Sequence, residues 1–187
     1  MRAVMIVGCV MLMGCGSKMS MLDTARTIPA LTAKYIEPTG TDWQPHFDDL
    51  KARLEGWGIM FVEFPPTLLG AFYGLSDARE GWIALEPTLG VNVAFATLCH
   101  EAAHLVAPPA LRNNKSVSEV FAEVVGYEVG KFYGVTLNPE QYIAAYKDGF
   151  SIVENDLQVD VKVAVKLLTG QLPAPVFTFP GRSDGGE

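Results

Sequence analysis

The hydrophobic positions of this chain change period along its length. Phe47, Leu50 and Leu54 recur at three- and four-residue spacing, as on a helix with one apolar face. The pattern predicts a helix from the capping pair Thr41-Asp42 to about Glu55, closed by Gly56 and Gly58. Ile59 to Phe64 is β-branched and aromatic and stops at Pro65-Pro66, which predicts a strand. Short strands near Ala71–Leu75 and Trp82–Leu85 follow, separated by the polar turn Ser76 to Gly81. The apolar run from Val91 to Val106 then reads as a helix, ended by Pro108-Pro109. A second periodic helix spans about Val117 to Tyr133. A third begins at the Asn138-Pro139 cap and runs to about Lys147. The last runs from about Ser151 to Leu168 and closes at Thr169-Gly170 and Pro173. Strands first and helices after predict an α+β domain, a small antiparallel or mixed sheet packed against helices.

The first residues do not belong to that domain. Met1-Arg2 is a minimal positive start, and Ala3 to Met13 is apolar, too short to span a bilayer but of the form of a signal peptide. Leu12-Met13-Gly14-Cys15 resembles a bacterial lipobox. That resemblance implies cleavage after residue 14, a lipid on Cys15 and a tether to about residue 35. The chain is then expected in the cell envelope, on the periplasmic or extracytoplasmic face of a membrane, held by lipid without a transmembrane helix. The domain proper is expected over residues 36–172, with a Pro/Gly-rich tail at 173–187. The whole chain carries 14 basic and 21 acidic residues, net −7, and loss of Arg2 with the leader makes it −8. An acidic chain with no basic stripe argues against nucleic acid as a partner. After processing only Cys15 and Cys99 remain, so no disulfide framework is expected.

The chemistry concentrates in His100-Glu101-Ala102-Ala103-His104. On a helix, residues four apart share a face, so the two imidazoles point the same way. That spacing lets both rings bind one Zn²⁺, with Glu101 placed to act on a water at the metal. Two histidines leave a zinc site short of ligands, and a catalytic site takes a third from the protein and keeps the fourth position open. Glu119 and Glu123, four residues apart on the next predicted helix, are the natural source. Glu119 has a competing use. With Ser116 as N-cap it stands at the third helical position, the pattern of a capping box, and a carboxylate folded back on its own helix start cannot reach a metal.

With these residues in view, the chain resembles a zincin metallopeptidase of the gluzincin type over roughly Leu69 to Lys131. The resemblance implies Glu119 as the third ligand and the residue four later, Glu123, as support for a ligand histidine. The family usually has Asp there, which leaves the roles of Glu119 and Glu123 exchangeable. It also implies that Gly81 to Glu86 forms the strand beside the metal helix, that Gly70 to Gly74 forms the strand before it, and that the former takes an extended peptide by strand addition. The activity implied is zinc-dependent hydrolysis of a peptide or protein amide, with Glu101 as general base. Tyr127, Tyr133, Tyr142 and Tyr146 are candidates by type for stabilising the oxyanion. Two other readings stay open: a zincin-like envelope lipoprotein that binds metal without turnover, and a metal-free lipoprotein in which the motif is coincidental. Cys99 points about 100° away from His100 and reads as a buried apolar residue. His46 has no partner motif.

Overall fold

The computed structural model describes residues 43–135, 153, 156–177 and 179, the side chain of Arg112 excepted. The leader, Cys15, the tether, the Thr41-Asp42 cap, the helix expected at 139–147, most of the start of the last helix, Tyr142, Tyr146 and the end of the tail lie outside the described residues. Within them the order is α1 (Trp43–Gly56), β1 (Met60–Phe61), β2 (Gly74–Asp77), β3 (Trp82–Leu85), α2 (Val91–Val106), α3 (Lys115–Phe132) and α4 (Gln158–Leu168). This is an α+β arrangement of four helices and a three-stranded sheet. Among the described residues no helix is long and apolar enough to cross a membrane.

α2 is the centre of the fold. From Phe95 to Leu105 every residue except Ala96 is buried, as befits a helix apolar on nearly all sides. α1 places Leu50 and Leu54 against it, α3 places Val120, Phe121 and Val125, and α4 places Leu168. Ala107 adopts an extended conformation (φ −63°, ψ 143°) where α2 meets Pro108, as the residue before a proline must.

The sheet has the order β1-β3-β2, with β1 parallel and β2 antiparallel to β3. Leu75 pairs with Ala84, and both face a small second core with Phe64, Leu68 and Phe72. The alternation of a strand then turns Gly74 and Ser76, paired with Leu85 and Ile83, to the opposite face. There Ile83 and Leu85 join the main core.

Three expectations for the strands need correction. β1 is shorter than the predicted run Ile59 to Phe64, because β3 offers it few partners: Val62 still donates to Ile83, but Phe64 turns into the second core. β2 begins at Gly74, not near Ala71. The chain is still turning at Gly70 (φ 74°), and Ala71 donates to Leu68. Ser76 and Asp77 therefore belong to β2. The turn is 78–81, closed by Asp77 accepting from the backbone of Arg79 and Glu80, with Gly81 at φ 68°. β3 is not an edge. It is paired on both sides and takes no added strand, and β2 is the strand whose side chains meet Glu101 on α2.

Candidate metal centre

Two antiparallel helices build the centre. Along α3, Ser118 meets His104, Glu123 meets His100, and Gly126 lies against Cys99 and the His100 backbone. Rising numbers on α3 thus meet falling numbers on α2. An ideal Cβ on Gly126 would lie 3.6 Å from Cys99 Cβ, ordinary contact distance.

α3 starts two residues earlier than the capping-box reading requires. Its N-cap is Asn114, whose side-chain oxygen accepts from the Val117 amide at 3.3 Å. Val117, not Glu119, occupies the third helical position, so Glu119 is free of the helix start and faces α2.

His100 Nε2 lies 3.1 Å from His104 Nε2 and 3.5 Å from Glu119 Oε2, which is 4.0 Å from His104 Nε2. A tetrahedral ion with bonds of about 2.0–2.2 Å spaces its ligands about 3.3–3.5 Å apart. The observed triangle brackets that spacing. His100, His104 and Glu119 are all buried and lie close enough to hold a metal ion. No fourth His, Cys, Asp or Glu among the described residues joins them.

The outer nitrogens are also engaged. His100 Nδ1 lies 2.9 Å from Glu123 Oε1. Glu123 stands at the Nδ1 side of this ring, and Nε2 is turned inward toward His104 and Glu119. His104 Nδ1 lies 3.2 Å from Ser118 Oγ. Burial alone would lower the His100 pKa, but Glu123, Glu119 and Glu101 outweigh it and hold it well above the usual imidazole value. Burial and the neighbouring His100 charge push His104 down to about 4. Two imidazole nitrogens 3.1 Å apart, with a carboxylate oxygen 3.5 Å from one of them, form a place that suits a cation. The donor set of two imidazoles and a carboxylate suits divalent transition ions.

Glu101 is fully buried, and its Oε2 accepts from Ser76 Oγ at 2.6 Å. Cys99 is buried with its thiol pKa raised by burial, so it stays an inert core residue. Tyr133 donates to Asp49 and packs its ring edge-to-face on Phe95 and tilted against His46, which explains the place of His46 and commits the Tyr133 hydroxyl elsewhere. Tyr127 packs under Lys131. Sequence reasoning missed Ser76, Ser118 and Gly74. Ser118 precedes Glu119 directly, but only the antiparallel pairing of two helices puts it beside His104. Compared with protein-family models, curated proteins and solved structures, the chain matches none.

Proposed function

We propose that the chain is a zinc-dependent peptidase of the zincin type, tethered to an envelope membrane by a lipid on Cys15. The observation that carries the reading is the buried triangle of His100, His104 and Glu119 beside Glu101, with no fourth ligand among the described residues. Structural zinc sites are closed by four protein ligands, whereas catalytic sites use three. When bound, a zinc ion supplies Lewis acidity to a carbonyl and lowers the pKa of a water.

The chain's own groups do the rest. Glu119 and the two imidazoles would hold the ion, and Glu123, 2.9 Å from His100 Nδ1, would orient that ring. Glu101 takes the proton of the attacking water and passes it to the leaving amine. The substrate class is a peptide or protein amide in the cell envelope.

Full burial of Glu101 favours a second reading, a zincin-like module that binds metal without turnover. Hydrolysis of a quenched-fluorescence peptide library by the zinc-loaded chain separates the two. The peptidase reading expects cleavage that Glu101→Gln abolishes while keeping the zinc. Cleavage that survives Glu101→Gln removes the role given to Glu101, and zinc binding without cleavage leaves the module.

A further inference from the structure

Glu101 stands on α2 but is held from the sheet. Ser76 Oγ donates to its Oε2 at 2.6 Å, and Ser76 is itself buried. Two residues away on the same face of β2, Gly74 is pressed against the same side chain. An ideal Cβ there would lie 2.5 Å from Thr97 Cγ2, 2.8 Å from Glu101 Cγ and 2.9 Å from Glu101 Oε1. Contacts that short do not occur, so any side chain at Gly74 would displace Thr97, Glu101 or the strand. The reverse face of β2 carries Leu75, fixed in the second core against Ala84, so the strand cannot simply retreat. A hydrogen bond and a steric gap, both on one face of a strand anchored from behind, converge on one carboxylate.

We propose that Gly74 and Ser76 form a cradle that positions Glu101, with Ser76 anchoring Oε2 and the absent Gly74 side chain leaving the space that Oε1 borders. The carboxylate is thereby held in a fixed orientation. Both are positioning residues, which act through Glu101. The proposal rests on the reading of Glu101 as general base, and it makes the strand beside the motif helix part of the catalytic apparatus.

The test compares the full chain with Ser76→Ala, Ser76→Thr, Gly74→Ala and Glu101→Gln, all checked for folding by circular dichroism. Two readouts are taken. The first is the ¹³C chemical shift of the Glu101 side-chain carboxyl in glutamate-labelled protein, assigned by its disappearance in Glu101→Gln. The cradle expects this resonance to move in Ser76→Ala and Gly74→Ala and to return toward wild type in Ser76→Thr. A resonance unmoved by Ser76→Ala overturns it, whatever the chain hydrolyses. The second is kinetics on the best-cleaved peptide of the library, with zinc content measured on each sample. Loss of an outer partner of this kind costs about 10–100-fold in activity. The expected result is a kcat lowered about tenfold or more in Ser76→Ala, with KM and zinc content held and partial recovery in Ser76→Thr. An unchanged kcat in Ser76→Ala overturns the proposal while leaving the peptidase reading intact. If wild type cleaves nothing but the resonance moves as expected, the cradle stands and the peptidase reading fails. Should Ser76→Ala not fold, Gly74→Ala carries the same two readouts.

Discussion

Each imidazole has two nitrogens, and a ligand histidine must commit one outward to free the other. Here Glu123 holds the outer nitrogen of His100 and Ser118 that of His104. The outer partners differ in strength, a carboxylate against a hydroxyl. Ser118→Ala should therefore lower zinc affinity by about tenfold, and Glu123→Gln by at least as much. Competition titration against a chromophoric chelator checks this, and an unchanged affinity in both variants would mean that the outer contacts do not orient the rings. His100, Glu101 and His104 were legible in the sequence because their relation is local: a helix fixes the faces of residues four apart. Glu119 was legible as a candidate but not separable from a cap, since the register of α3 depends on which residue starts it. Ser76 and Ser118 were not legible at all, because their partners are brought to them by tertiary packing.

The α2–α3 pairing is the element that makes the site. It depends on Asn114, which starts α3 in the register that turns Glu119 toward α2. Asn114→Ala should cost about 1 kcal/mol of stability and leave zinc stoichiometry unchanged, read from denaturant midpoints and elemental analysis. A larger loss together with lost zinc would show that the cap sets the register and not merely the stability. Gly126 is the converse case. A helix-interior glycine whose Cβ would meet only ordinary contacts is a stabilising opportunity. Gly126→Ala should raise stability by about 0.4–1 kcal/mol, and a lower denaturant midpoint would mean that the two helices approach more closely than the geometry indicates. The first three helices were legible from period and punctuation, whereas α4 begins at Gln158, after a non-helical Leu157, and not at Ser151. Val91–Val106 matches the apolar run because Pro108 stops it, and Trp82–Leu85 matches β3, whereas β1 and β2 were misplaced at their ends because pairing with β3, and not composition, decides where each begins and stops.

For the molecule as a whole, the metal site and the core are one structure. Three of its polar groups sit buried in the main helical contact, so an ion that binds only the folded chain stabilises all of it. Free zinc at a hundredfold excess over Kd should add about 2.7 kcal/mol, and a chelator should remove it, lowering Tm by roughly 5–10 °C for a domain of this size. Acid acts the same way. Zinc needs unprotonated imidazole nitrogens, and the carboxylates around His100 hold its pKa above the usual imidazole value, so occupancy should begin to fall at a higher pH than ordinary imidazole ligands would give. A Tm indifferent to chelator at neutral pH would contradict the coupling. The anchor is a separate matter at this scale: in a bacterial host, Cys15→Ser should abolish incorporation of labelled fatty acid and release the chain from membranes, whereas labelling that persists would remove the lipid from Cys15.

The most direct measurement is metal content by elemental mass spectrometry on the purified chain beside its His100→Ala variant. The account predicts about one zinc per chain in wild type, lost in the variant. Wild type that carries no stoichiometric metal, even after zinc is offered back, would contradict the metal centre and with it the peptidase reading.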